Sequence, residues 1–232
     1  MLKSKTKTDP YVTNDFGLVF DMDGVIVHNN DWHLKSWLQF AKKLGMDLTE
    51  ADFPEKIFGK TNEQILEKAF PQAGLAQWEI WSLEKEALYR EMFAPHFELA
   101  PGLLPFLEKL KAIQIPLAVA SNAPLVNVDF AVNLGKIRSF FQVILYAGLV
   151  AKPKPAPDIY LKACELLGKN PKDCFVIEDS PTGLEAARLA GCQTIAITST
   201  YPKSTLKPLA NNVFDRFEEI QNFLLNASDH RK

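Results

Sequence analysis

A parallel α/β sheet covered by helices on both faces is the fold this sequence predicts, and three observations predict it. Short apolar runs, among them Leu18-Val19-Phe20, Leu117-Ala118-Val119-Ala120 and Cys174-Phe175-Val176-Ile177, stop abruptly in polar side chains, as buried strands do at a sheet edge. Helical stretches alternate with these runs, which favours parallel pairing with helices on either side. A helical block between residue 28 and about residue 95 interrupts the alternation, so it reads as an insertion.

The first strand ends in Asp21-Met22-Asp23-Gly24, where Gly24 lets the chain turn away directly after two carboxylates. Period-two geometry sends residues 21 and 23 toward one side, beyond the carboxyl end of the strand, where open α/β sheets bind ligands. Asn30 or Asp31 is suited to cap a helix running through Trp37 to Leu44 and ended by Gly45. Thr61-Asn62-Glu63-Gln64 has the form of a capping box, and Pro71 follows that short helix. From Leu75 to Phe93, Trp78, Trp81, Leu88, Tyr89 and Met92 recur on one helical face. Glu84, Lys85, Glu86, Arg90 and Glu91 read as a solvated face opposite. Pro95, Pro101 and Gly102 punctuate the chain before the alternation resumes.

Later strand tips bring further polar groups. Ser121-Asn122 offers a hydroxyl and an amide that suit phosphate oxygens. The loop 150–157 carries Lys152 and Lys154 among three prolines, and a helix begins near Pro157 and stops before Gly168. Glu178-Asp179 ends the next run, with Ser180 as N-cap and Pro181 in the first helical turn. Adjacent carboxylates repel unless they are protonated or paired with a cation. Asp21, Asp23, Glu178 and Asp179 with a lysine on one crevice would suit a hard divalent ion, most plausibly Mg2+.

Composition sets the outer bounds. At 232 residues the chain fits one core and one smaller insertion, residues 1–27 and 96–232 forming the α/β core and 28–95 the all-helical block. A hydrophobic fraction of 47% supplies a sizeable core, and a net charge of −2 gives no basic footprint for nucleic acid. The cations between Met1 and Lys7 precede no apolar region, and no apolar stretch is long enough to cross a membrane, so a cytoplasmic protein is expected. Cys164, Cys174 and Cys192 lack metal-ligand spacing and read as reduced, buried small residues. Nothing in the sequence fixes the oligomeric state.

In order and spacing, Asp21-Met22-Asp23-Gly24-Val25, Ser121, Lys154 before Pro155-Ala156-Pro157-Asp158, and Glu178-Asp179-Ser180 resemble the four motifs of the haloacid dehalogenase superfamily. The similarity is to the branch containing β-phosphoglucomutase and small sugar-phosphate phosphatases. It implies a Rossmann-like core, a cap formed by residues 28–95 with hinges near Asn29 and Pro95, and a small phosphorylated metabolite as substrate. Asp21 is then the nucleophile, Asp23 the general acid and base, and Ser121, Asn122 and Lys154 the groups that hold the phosphoryl oxygens. Glu178 and Asp179 bind magnesium with Asp21 and the Asp23 backbone carbonyl. Lys154 is preferred over Lys152 because it directly precedes the Pro-Ala-Pro-Asp segment.

His33 matches a cap-side histidine of the branch, with a structural, hydrogen-bonded histidine as the alternative. Asn62 stands where mutases carry an arginine that grips a distal phosphate, and Ala123-Pro124-Leu125 is apolar where they offer polar and basic groups. Hydrolysis is therefore expected over mutase chemistry, the runner-up in which Lys56 or Lys60 would replace the lost cation. Asp23 and the acidic pair argue against attack on carbon. The insertion argues against a phosphorylatable binding module.

Overall fold

The computed structural model describes residues 15–57 and 60–226. The amino-terminal cations lie outside the described residues. Strand β1 (Gly17–Phe20) leads into α1 (Asn30–Leu44), α2 (Phe53–Lys56), α3 (Asn62–Ala69) and the long α4 (Leu75–Phe93). The chain then alternates through α5 (Leu103–Ala112), β2 (Leu117–Ala120), α6 (Leu125–Leu134), β3 (Val143–Leu145), α7 (Asp158–Leu166), β4 (Cys174–Glu178) and α8 (Pro181–Ala190). It closes with β5 (Gln193–Ile197), α9 (Lys203–Leu206), β6 (Asn212–Phe214) and α10 (Phe217–Asn226).

The strands form one parallel sheet of order β3-β2-β1-β4-β5-β6. The connections run outward from β1 to β3 and then jump to β4 on the other side of β1. That places a topological switch point between β1 and β4, where an open sheet leaves a crevice. Alternation along each strand fills two separate layers. Leu18, Phe20, Leu117, Val119, Phe175 and Ile177 pack with Phe106, Leu107, Ile220 and Leu224 of α5 and α10. Val19, Ala118, Ala120 and Val176 pack with Ile159, Tyr160, Ala186 and Ala187 of α7 and α8. Both faces are thus covered, which explains why the strands read as continuous apolar runs.

The insertion has its own apolar cluster of Trp37, Phe40, Phe53, Ile57, Ile65 and Leu66. Gly45 ends α1 in the left-handed conformation, and Thr61 and Gln64 form the expected reciprocal cap on α3. Asn29, not Asn30 or Asp31, is the N-cap residue of α1, and its side chain makes no cap bond because it points into the crevice instead. Trp78, Trp81 and Leu88 pack on the insertion's own cluster, whereas Tyr89 and Phe93 join the sheet-domain core. Helix α4 therefore belongs to both units and fastens one to the other. Cys164, Cys174 and Cys192 are buried and free.

Leu66 is fully buried in the insertion. Leu66→Ala should lower unfolding stability by about 2–5 kcal/mol through lost burial and the cavity left behind, read as a drop in the denaturant midpoint.

Candidate active site

The carboxyl ends of β1 and β4 bring Asp21, Glu178 and Asp179 together, each buried, with one carboxylate oxygen of each lying within 4.8 Å of the others. Lys154 reaches in from the loop before α7. Its Nζ donates to Asp21 Oδ1 at 2.5 Å, to Glu178 Oε1 at 2.8 Å and to the Ala120 carbonyl at 2.9 Å. Lys152 is exposed. Glu178 is held on both oxygens: Tyr160 donates its hydroxyl to Oε1 at 2.6 Å, and the Ser180 hydroxyl and Asp179 amide each donate to Oε2 at 3.1 Å. Thr200, after β5, donates to Asp179 and accepts from the Asn30 side chain at 2.5 Å.

Two glycines make room for this packing. Gly24 has φ +79°, and a Cβ there would overlap the Asp179 carboxylate. A Cβ on Gly183 would overlap the carboxylate of Glu178.

The electrostatics of the cluster are unbalanced. Burial, then the charges of Asp21 and Glu178, hold the Lys154 pKa in competition, and the two carboxylates win and keep it above the ordinary lysine value. Burial pushes the Asp21 carboxyl up to about 8 against the pull of Lys154, with Glu178 and Asp23 adding to the rise. Asp179 lies well above the usual carboxylate range, first from burial and then from Glu178 and Asp21. One ammonium cannot offset three carboxylates, and an all-oxygen donor set with excess negative charge fits a hard divalent cation.

Asp23 does not join that cluster with its carboxylate. It faces the insertion, accepting from Asn29 Nδ2 at 2.5 Å, with His33 Nε2 at 3.6 Å. Asn29 also donates to the Tyr89 hydroxyl at 2.6 Å, and His33 stacks on the Tyr89 ring at 3.9 Å between centroids. Ser121 is buried and its Oγ accepts from the Ala123 amide at 3.0 Å. The Asn122 side chain clamps the lysine loop, accepting from the Lys154 amide at 3.0 Å and donating to its carbonyl at 3.3 Å. That geometry fixes the loop that carries Lys154.

A cavity of about 810 Å³ lies between this cluster and the insertion, bordered by Asp21, Asp23, Ser121 and Lys154 on one side and by His33, Asn62, Lys85 and Glu86 on the other. Lys85 and Glu86 are a correction to the sequence reading, which assigned them to a solvated face; they are 1% and 4% exposed. Helix α4 packs against α1, α3 and α6, leaving little of its circumference to water. The buried charges satisfy each other at 3.0 Å. Glu86 also accepts from Asn62 at 2.7 Å and from Asn127 at 2.5 Å, and Arg90 donates to Asn127 at 2.6 Å. Lys85 Nζ lies 2.9 Å from His33 Nδ1.

A family model described as haloacid dehalogenase-like hydrolase matches residues 18–197, most of the chain and all of the residues that form the cluster. The chain belongs to the haloacid dehalogenase-like hydrolases. A β-phosphoglucomutase of Bacillus subtilis is 30% identical over 198 residues, 80% of this chain and 84% of that protein. A chloroplastic 5-amino-6-(5-phospho-D-ribitylamino)uracil phosphatase of Arabidopsis thaliana is 28% identical over 188 residues, 80% of this chain. The chain spans half the length of that phosphatase, and 21% and 32% of two other Arabidopsis relatives. The crystal structure of a family IA, variant 3 hydrolase of Entamoeba histolytica superposes with a TM-score of 0.82 at 29% identity, covering 91% of this chain and 99% of that one.

The sequence alone did not single out Asn29 as a contact of Asp23, Lys85 and Glu86 on α4 as cavity residues, Asn127 on α6, or Tyr160 and Thr200 behind the carboxylates. Asn127 had a weak signal, since it lies in the first turn of the helix that follows the Ser121 strand tip. Burial raises the Glu86 pKa, but Lys85, His33, Asn62 and Asn127 outweigh it and bring the group from 4.5 to about 2. A carboxyl depressed on folding adds stability that is fully present above its unfolded value and is lost as pH falls toward its folded one. The stability difference between wild type and Glu86→Gln should therefore shrink between pH 4.5 and 2, by up to about 3 kcal/mol, in urea unfolding at stepped pH.

Proposed function

We propose that this protein is a magnesium-dependent phosphatase that hydrolyses a small phosphorylated metabolite, a sugar phosphate, through an aspartyl phosphate on Asp21. The observation that carries the reading is the division of labour between the two aspartates. Asp21 lies beside Lys154 in the acidic cluster, whereas Asp23 faces away from it toward Asn29 and His33.

In this reading Asp21 attacks phosphorus, forming an oxygen–phosphorus bond as the ester bond to the leaving group breaks. Asp23 donates its proton to the departing alkoxide. A water molecule then attacks the phosphoryl group, returns a proton to Asp23 and releases inorganic phosphate and Asp21. Ser121 and Lys154 orient the phosphoryl oxygens, and Lys154 offsets the charge on both anions as they meet. Asp21, Glu178, Asp179 and the backbone carbonyl of Asp23 would hold Mg2+. The ion supplies electrostatic stabilisation of the transferring group. Residues 28–95 act as a cap that closes over the bound ester and supplies contacts to its leaving group, with a cytoplasmic setting for the reaction.

Mutase chemistry is the second reading, and the Lys85 ammonium in the cavity is the observation that favours it. Of the cations the sequence suggested for a distal phosphate, Lys60 borders this cavity. Lys56 borders a separate, smaller one and pairs with Asp52 at 2.7 Å. Supplying β-glucose 1-phosphate with a trace of the bisphosphate, and following glucose 6-phosphate against inorganic phosphate, separates the readings. Faster isomer formation selects the mutase.

Chelation should stop phosphate release and added Mg2+ should restore it, with Ca2+ inhibiting because it imposes looser, higher coordination. Asp21→Asn should abolish turnover with the circular dichroism spectrum intact. Asp23→Asn should lower kcat by about 10²–10⁴-fold, the usual contribution of general acid–base catalysis. Full activity in the Asp21→Asn protein would remove that residue from the nucleophile role.

A further inference from the structure

The wall of the cavity opposite the acidic cluster is charged, buried and already internally paired. Lys85 is the buried cation of the insertion among the described residues, and Glu86 binds it at 3.0 Å. The two oxygens of Glu86 receive Lys85, Asn62 and Asn127, donors from α4, α3 and α6. The Lys85 ammonium also lies 5.3 and 5.6 Å from the ring centres of Trp37 and Tyr89, which fixes it further. At the rim, Glu63 and Glu79 stand with Lys60, so the insertion presents three carboxylates and two ammonium groups to the cavity.

That balance has a consequence for anything bound there. The reacting phosphate is provided for by Lys154 and the metal site, but a second anionic group at the far end of the same molecule would meet the Glu86 carboxylate and a lysine already neutralised. Like charges brought together in a confined site repel strongly, and among the described residues no arginine borders this cavity to offset them. Trp37, Phe53, Ile57 and Leu83 complete the wall, and about 810 Å³ is room for a leaving group larger than the phosphate itself.

Resting on the phosphatase reading above, we infer that Glu86 is a specificity-determining residue that restricts this enzyme to single-phosphate esters with an uncharged leaving group, excluding substrates with a second phosphate. Glu86 does this from the wall, by cancelling Lys85 and by repelling a distal anion. Asn62 supports it by donating to the same carboxylate.

The test is a binding ratio, so that it does not depend on turnover. In the Asp21→Asn protein with Mg2+, calorimetry is used to compare glucose 6-phosphate with glucose 1,6-bisphosphate, and fructose 6-phosphate with fructose 1,6-bisphosphate. In each pair the monophosphate should bind tenfold or more tightly, about 1.4 kcal/mol. A smaller ratio in both pairs overturns the inference. Adding Glu86→Gln should shift the ratio at least threefold toward the bisphosphate, and an unchanged ratio removes Glu86 from the role. Should that variant fail to fold, Asn62→Lys serves in its place, because an ammonium at this half-buried helix start neutralises the same carboxylate and should move the ratio in the same direction. Phosphate release by the wild type from the same esters and from para-nitrophenyl phosphate is measured separately. Its absence would defeat the phosphatase reading while the binding ratio still decides the role of Glu86.

Discussion

The buried ammonium of Lys154 lies between the carboxylates of Asp21 and Glu178, and the arrangement of the crevice follows from that contact. Two strand tips pointed at one switch point would otherwise bring anions together in a space with little water. Removing one member of a buried ion pair typically costs about 3–5 kcal/mol, because the partner charge is left without compensation. The protein invests accordingly in holding the lysine. Asn122 fixes the loop backbone, the Ala120 carbonyl accepts a hydrogen bond from the ammonium, Tyr160 donates to the same Glu178 oxygen as the lysine, and Ser180 donates to the other. Asp179 accepts from Thr200, and burial together with the Glu178 and Asp21 charges raises its pKa.

Helix α4 meets a second constraint, since it must close a polar cavity while joining two hydrophobic units. Tyr89 and Phe93 at its carboxyl end enter the sheet-domain core, and Trp78, Trp81 and Leu88 serve the insertion. The remaining face carries Lys85 and Glu86, and charge is tolerable there because the two pair with each other and Glu86 also accepts from Asn62 and Asn127. The result is a continuous set of polar contacts from Asp23 through His33, Lys85 and Glu86 to Asn127 and Arg90, spanning both sides of the cavity.

The sheet and the insertion thus carry different kinds of information. Strand tips hold Asp21, Glu178 and Asp179, and the match to the haloacid dehalogenase-like hydrolases spans all three. Relatives that share this framework include a mutase and a phosphatase with an elaborate leaving group, so the framework alone leaves the substrate open. Under the function proposed above, discrimination falls to the wall that the insertion supplies.

By itself the sequence determined the parallel α/β class, the insertion, and the convergence of Asp21, Ser121, Lys154, Glu178 and Asp179. These are local signals: an apolar run, the polar residue that ends it, and a turn that follows. The reciprocal cap of Thr61 and Gln64 and the Ser180 N-cap were legible for the same reason. Tertiary structure decided which charges are buried. Lys85 and Glu86 have the spacing of an exposed helical face, and only the packing of α1, α3 and α6 around α4 encloses them. It also decided where Asn29, Tyr160 and Thr200 point, since each meets its partner across a fold that no sequence spacing encodes. Periodicity reports one helix against an average interior, whereas burial of a charge depends on what each neighbouring element offers it.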